Sequence, residues 1–379
     1  MKNILISLNA FKESFSSKEG CLSLQNGFIN SGYPEKNLKK VPLGDGGDGT
    51  LEALSEILNF KFEKVKVKNP LGKEIEAICG IFDKLGYVEM AYASGLKLLK
   101  ENERNPLEAS SYGTGQLIKY LLDKEVKEVY LGVGGSATVD GGMGALSALG
   151  VKFLDKDGNE LEPKGKNLNK IKDIDISGVD EKLLTGEVKI KVLVDVRNPL
   201  IGEEGAARVY GPQKGATPEM VEILEKGLEN LREVVKRKFG VDINIEGGGA
   251  AGGISAGFYG ILKAEIKWGI ETFLNMVNFE KYLNWADIVI TGEGKLDKQT
   301  KYGKAPYLVA KKAKEKNKMV IFIAGEVEDK EVVNEKYYDF VLTLNRKVLG
   351  KKLDYLKNGK ENLFWTGFWL GKFLKNAFE

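Results

Sequence analysis

Histidine is absent from all 379 residues of the chain. That excludes Ser-His-Asp and Cys-His nucleophilic devices, His-ligated zinc and imidazole general bases. Any proton transfer falls to Asp, Glu, Lys, Tyr or a water. Cysteine is scarce as well. Cys21 and Cys79 stand far apart without a C-x-x-C, so a reduced, cytoplasmic protein is expected. Only six of the 57 basic residues are arginine (104, 197, 208, 232, 237 and 346), and with 54 acidic residues the net charge is +3. No field of one sign favours nucleic acid or an anionic membrane as a partner. Long apolar runs are missing too. Ile4 to Leu8 is too short for a signal peptide, and Gly247 to Leu262 is too short and too rich in glycine to span a bilayer. Neither a G-x-x-x-x-G-K-[ST] nor the protein-kinase signature set occurs, which removes those two routes to ATP chemistry.

What the chain has in quantity is glycine, placed at the ends of apolar runs. Val129 to Gly150 is the richest case. Val129, Tyr130, Leu131 and Val133 read as a buried parallel strand, and Met143, Leu146 and Leu149 recur at helical spacing. Between them Gly134 and Gly135 leave backbone N–H groups free to face an anion, Ser136 and Thr138 add hydroxyls, and Asp140 adds a carboxylate. A tight strand-to-helix turn without a ligand is the alternative. Gly132 to Ala137 also fits G-x-G-x-x-A, a weak match by itself.

The same arrangement recurs along the chain. Asn3 to Leu8 reads as a first strand that delivers Lys12 at its carboxyl end, before a helix with a Ser16/Glu19 capping box. An exposed loop lysine is the alternative for Lys12. Asp45 and Asp48 lie among four glycines ahead of a helix, a setting for a hard cation or for two solvated aspartates. Phe62 to Ala91 alternates in short runs joined by Asn69-Pro70-Leu71-Gly72, the pattern of hairpins. Val188 to Val196 is a β-branched strand expected to present Asp195 beside Arg197, either as a working carboxylate or as a structural ion pair. Lys214 sits in a glycine-flanked turn ahead of Thr217 as N-cap and Pro218 at N1, and Gly240 closes the helix that follows. Gly247 to Gly253 lacks a preceding strand, so close backbone packing or anion contact is expected there. Ile288 to Ile290 empties into Thr291-Gly292-Glu293-Gly294-Lys295-Leu296-Asp297. The strands at Met319 to Ala324 and Phe340 to Leu344 resemble the first strand more than the middle. We therefore expect two α/β domains: a discontinuous one of residues 1–65 and 270–379, interrupted by an inserted one of residues 66–269.

Backbone donors and lysines for phosphate oxygens, carboxylates for Mg²⁺ and one carboxylate to take a hydroxyl proton are the parts phosphoryl transfer needs. Nine segments in order, Asn9 to Lys12 (NAFK), Pro42 to Thr50 (PLGDGGDGT), Glu89 to Leu96, Gly113 to Ile118, Gly134 to Gly142 (GGSATVDGG), Asp195 to Leu200 (DVRNPL), Gly211 to Thr217 (GPQKGAT), Gly249 to Gly253 and Thr291 to Asp297 (TGEGKLD), resemble the bacterial glycerate kinase family. The resemblance implies a flavodoxin-like parallel sheet in one domain and a restriction-enzyme-like α/β fold in the other. It implies ATP and Mg²⁺ as co-substrate and cofactor, D-glycerate as acceptor, 2-phosphoglycerate as product and a cleft between the domains as the site. A homodimer stays open. Asn9-Ala10 departs from the family's usual Asp-Ser. On this footing Lys12, Lys295 and Asp195 are expected to be catalytic, with Asp195 as base. Lys214, Arg197, Gly134, Gly135, Ser136 and Thr138 are expected to bind substrate or phosphate, and Asp45, Asp140 and Glu293 to hold the metal. A kinase for another small hydroxy acid and a silent ligand-binding protein are the alternatives.

Overall fold

The computed structural model describes residues 1–297, 304–328, 333, 336–348, 351–353 and 355–378. In chain order the strands are β1 (Ile4–Leu8), β2 (Leu38–Lys40), β3 (Lys61–Lys68), β4 (Glu74–Phe82), β5 (Leu85–Glu89), β6 (Glu128–Gly132), β7 (Lys152–Leu154), β8 (Asp173–Asp175), β9 (Lys189–Val194), β10 (Glu265–Trp268), β11 (Ile288–Leu296), β12 (Met319–Val327), β13 (Phe340–Thr343), β14 (Arg346–Val348) and β15 (Lys351–Leu353). The chain divides into two compact units. The first comprises Met1–Asp45, Glu52–Asn59 and Ile270–Glu379, and the second Gly46–Leu51 and Phe60–Gly269. The boundary expected between residues 65 and 66 falls inside β3, which belongs wholly to the second unit. Among the described residues no helix is long and apolar enough to cross a membrane.

The first unit is an α/β layer structure on a five-stranded parallel sheet in the order β13-β12-β11-β1-β2. Counted within the unit this is the flavodoxin-like order 2-1-3-4-5. Every residue of β1 is buried, as a strand covered on both faces requires. The sheet reverses direction of growth between β1 and β11. In open α/β sheets the connections leave on opposite faces at such a switch point, which is where ligands commonly bind. Helix Ser17–Asn30 starts on the expected capping box, with Ser16 Oγ accepting from Glu19 N–H and Glu19 accepting from Ser16 N–H. It packs on the long helix Tyr355–Phe378 through glycines, because a Cβ at Gly27 would stand 2.0 Å from the Phe364 carbonyl oxygen.

The second unit carries a six-stranded mixed sheet, β10-β9-β6-β5-β4-β3. Strands β5, β6, β9 and β10 run parallel, while β3 and β4 form the expected antiparallel hairpin. Its turn is fixed by Asn69, whose side-chain oxygen accepts from Leu71 N–H and Lys73 N–H, and by Gly72 at φ +81. Lysines at 61, 64, 66 and 68 line the outer strand β3, a charge pattern that blocks further strand addition at an edge. Helix Pro218–Phe239 begins with Thr217 accepting from Met220 N–H at 3.3 Å and ends at Gly240, φ +72. Its Val221, Leu224, Leu228, Leu231 and Val235 enter the core together with Val129, Leu131 and Met143.

Candidate active site

In the second unit the loop that follows β6 is held from three sides. Ser94 to Leu96 pins it by backbone bonds, with Ala137 N–H donating to Ser94 O and Leu96 N–H to Gly135 O. Gly46 and Gly47 lie beneath it, since a Cβ at Gly132 would stand 2.5 Å from Gly46 O and one at Gly134 would stand 2.6 Å from Gly47 Cα. Gly252, at φ +75, presses from the other side, where a Cβ would come within 2.1 Å of Thr138 O. The glycines at 249 to 253 thus serve backbone packing.

Asp140, expected to hold the metal, is fully buried. Oδ2 accepts from Ser111 N–H at 2.8 Å, from the Ser111 hydroxyl at 2.7 Å and from Gly144 N–H at 3.2 Å, while Oδ1 accepts from Gly142 N–H at 3.1 Å. The amides of Gly142 and Gly144 thus face this internal carboxylate. Burial raises its pKa, against the lowering effect of the bonds from Ser111, Gly144 and Gly142. Four donors leave little lone-pair capacity for a metal, so Asp140 is a clamp joining the loop to the start of helix Tyr112–Leu122.

Lys214 comes in beside this clamp. Only 2 % exposed, its Nζ donates to Ser136 Oγ at 2.8 Å and to Thr138 O at 2.7 Å. Burial pulls its pKa down to about 7, with the charge of Asp140 opposing. The Thr138 hydroxyl is buried with no hydrogen-bond partner among the described residues. A cation, two hydroxyls and a rigid backbone stand together here, which is chemistry for an anionic oxygen. Gly135 is exposed, and Gly134 half-buried, at the mouth of the same loop.

Asp195, expected at a buried strand tip against Arg197, is exposed just beyond β9. Arg197 is not its ion-pair partner. The guanidinium pairs with Glu246 and lies 4.7 Å from the Trp268 ring centroid. Asp195 instead faces Tyr210, whose hydroxyl is pushed up to about 12 by burial and then by the Asp195 charge. Asp48 is exposed and paired with Lys97. Sequence reasoning assigned no role to Glu89. It is 1 % exposed, and its carboxylate accepts from Leu51 N–H at 2.6 Å and from Gly49 N–H at 3.0 Å, fixing the glycine turn ahead of helix Thr50–Leu58. The signal available was an acid ending an apolar strand.

In the first unit a second group forms at the switch point. Asn9 N–H donates to Gly292 O at 2.9 Å, joining the end of β1 to the middle of β11, and Asn9 Nδ2 lies 3.5 Å from Asp45 Oδ2. Glu293 follows at once and is buried. Lys304 bridges two acids, 3.6 Å from Glu293 and 3.0 Å from Asp297, and leads into helix Ala305–Glu315. Lys304 escaped the sequence reading because no motif includes it. Lys12 is exposed on a turn built over the stacked Phe11 and Phe15 rings, 4.6 Å between centroids. Lys295 is half-exposed and paired with Glu328 at 3.1 Å. The structure thus brings Asp45 and Glu293 to one sheet end, and Ser136, Thr138, Asp140 and Lys214 to one loop cluster.

Comparison with known proteins gives a consistent set of matches. The description "Glycerate kinase family" fits residues 4–367. A glycerate kinase of Halalkalibacterium halodurans is 41% identical over 353 residues, covering 92% of each chain. A glycerate 2-kinase of Escherichia coli is 41% identical over 345 residues, covering 90% of each. Among solved structures, a protein named as a glycerate kinase 2 from Salmonella typhimurium LT2 superposes with a TM-score of 0.86 at 40% identity, covering 99% of each chain.

Proposed function

The chain belongs to the glycerate kinase family, and on that premise we propose that it transfers the terminal phosphoryl group of ATP to D-glycerate, at the 2-hydroxyl, releasing ADP. The observation that carries this reading is the buried Lys214 held against Ser136 and Thr138 in a loop fixed on three sides. Such a group is preorganised for a small anion and needs no rearrangement when charge arrives. Two free, buried cysteines suit a reducing, cytoplasmic setting.

In this reading the acceptor's anionic end lies at Lys214, Ser136 and Thr138. Asp195 takes the proton of the attacking hydroxyl as its oxygen bonds to the phosphorus and the bond to the departing ADP oxygen breaks. Asp195 is exposed just beyond β9, where a bound hydroxyl can approach it from solvent. Lys12, at the end of β1, reaches a phosphate oxygen as a mobile point charge. Lys295 is assigned the same task, in exchange for its contact with Glu328.

The donor set of the first unit fits Mg²⁺. Asp45 beyond β2 and Glu293 within β11 supply carboxylate oxygens on the two sides of the end of β1, and no group of three metal-ligating side chains occurs among the described residues. Mg²⁺ in kinases takes one or two carboxylates and completes its shell with phosphate and water. When bound, the ion neutralises charge on the phosphates. Asp45 and Glu293 are assigned to it, and Asp140 is released from that role.

A coupled ADP-release assay across small hydroxy acids, with and without Mg²⁺, tests the proposal. The expected result is turnover that needs D-glycerate and Mg²⁺ together. Turnover with another hydroxy acid and none with glycerate would transfer the activity to that acid. No turnover with any acid, alongside a rise in melting temperature with ATP, would make the chain a binding protein.

A further inference from the structure

Among the arginines whose side chains are described, Arg197, Arg208 and Arg232 pair with carboxylates and Arg237 donates to the Lys172 carbonyl. Arg104 does neither. Among the described residues its Nε is buried with no hydrogen-bond partner, and no ion pair joins its guanidinium to a carboxylate. Native structures seldom leave such a donor unmatched, because the lost hydration is not recovered.

Its position gives that mismatch a meaning. Arg104 ends the short turn Glu101–Glu103 and packs directly on the turn that carries Lys214. Gly215, the next residue after Lys214, sits at φ +92 so close that a Cβ there would stand 2.5 Å from Arg104 O and 2.9 Å from Arg104 Cβ. From Arg104 the chain runs along the substrate loop. Pro106 O and Val139 O both border Gly165, with an added Cβ there 2.6 and 2.7 Å away respectively, and Ser111 closes the run on Asp140. One short segment therefore contacts both the Lys214 turn and the loop of Ser136 to Asp140. This neighbourhood holds two buried polar atoms without partners, the Nε of Arg104 and the hydroxyl of Thr138.

We propose that Arg104 binds the carboxylate of the acceptor, alongside Lys214, and so sets the preference of this enzyme for hydroxy acids over neutral polyols. The inference rests on the phosphoryl-transfer reading given above. A guanidinium offers two parallel N–H groups to one carboxylate, a match that an ammonium cannot make. The Thr138 hydroxyl would gain its partner from the same ligand.

Steady-state kinetics on the full-length protein at saturating ATP and Mg²⁺ test this, with D-glycerate compared against D-glyceramide, in which an amide replaces the carboxylate. Arg104→Gln is expected to raise KM for glycerate by about tenfold or more with kcat within about threefold. KM for ATP and the rate with glyceramide should stay as in the parent, so that discrimination falls by the same factor. Added guanidinium should restore part of the glycerate affinity in Arg104→Ala, which a purely structural role would not allow. If Arg104→Gln does not fold, Arg104→Lys serves, with a KM increase of about threefold or more expected. An unchanged KM for glycerate, an equal loss for both acceptors, or a shift confined to ATP would each overturn the assignment. Should the parent use another hydroxy acid and not glycerate, the substrate reading fails and Arg104 is tested on that acid against its amide. Should it accept only neutral alcohols, both readings fall.

Discussion

The buried ammonium of Lys214 lies 2.8 Å from the Ser136 hydroxyl, with the charge of Asp140 near enough to act on its titration. Burial brings its pKa from the ordinary 10.5 down to about 7. Between those values the unfolded chain holds more protons than the folded one, so stability rises with pH across that window and is lost as pH falls towards 7. Denaturant titrations from pH 7 to 10 should show this rise, and Lys214→Met should flatten it. The acceptor's carboxylate at Lys214 would raise the pKa again, so binding takes up a proton above pH 7. KM for glycerate should therefore climb with pH, by at most about tenfold per unit, in the parent protein and not in Lys214→Met. Parallel pH profiles in the two proteins would remove Lys214 from the acceptor site.

Asp140 should fail as a structural part. Asp140→Ala strands the Ser111 amide and hydroxyl and the amides of Gly142 and Gly144 without their acceptor, in a fully buried place. Breaking a buried charged network costs about 3–5 kcal/mol, enough to lower the melting temperature clearly. Asp140→Asn keeps the shape and should cost less. In neither variant should extra Mg²⁺ restore the rate. Recovery at high Mg²⁺ with unchanged stability would return Asp140 to the metal.

Gly252 offers a test of the loop itself. Its φ of +75 strains any side chain, and a Cβ would stand 2.1 Å from Thr138 O and 2.7 Å from Val139 Cα. Backbone on both sides cannot yield as a side chain would. Gly252→Ala should cost about 2–5 kcal/mol, adding left-handed strain to overpacking. Activity should fall with it, because the displaced backbone carries the carbonyl that holds Lys214. Gly158→Ala is the control. It shares a positive φ of +81 with nothing within 4 Å, so only the strain should register. Equal losses in the two variants would show that contact with Thr138 matters little.

Much of this was legible before any coordinates. The parallel strands around Val129 to Val133 and Ile288 to Ile290 announce themselves by unbroken apolar runs, and the Ser16/Glu19 and Thr217/Pro218 helix starts by side chains that can reach only their own first turn. Asp140 was misread because sequence order does not show that Ser111 arrives with two donors. An acid in a glycine turn looks open until the partner segment is placed. Asp195 was misread in the opposite sense, for a strand can be buried to Val194 and emerge one residue later. Arg197 found Glu246 and Trp268, partners 49 and 71 positions away, rather than its near neighbour. Lys304 and Arg104 sit outside any motif, and only their surroundings single them out.

Asp195 and Glu293 should separate base from metal ligand. Asp195 is exposed, so Asp195→Asn should leave the melting temperature nearly unchanged. As the base it should lower kcat on the order of 10²-fold, with the Mg²⁺ concentration for half-activity unaltered. Glu293 is buried between Lys304 and Tyr338, and its charge, after burial itself, keeps the Tyr338 hydroxyl protonated far above its ordinary range. Removing that charge leaves Lys304 with Asp297 alone. Glu293→Gln should thus raise the Mg²⁺ requirement, and part of the rate should return at high Mg²⁺. It should also lower the pKa of Tyr338, an effect visible in the phenolate absorbance on alkaline titration, independent of any turnover. Titrating Mg²⁺ against both variants at saturating ATP and glycerate decides the roles. If metal rescues Asp195→Asn and leaves Glu293→Gln inactive, the two assignments must be exchanged. If Glu293→Gln moves the Tyr338 titration while its Mg²⁺ dependence stays that of the parent, Glu293 is a structural partner of Lys304, and Asp45 is left as the metal ligand of the first unit.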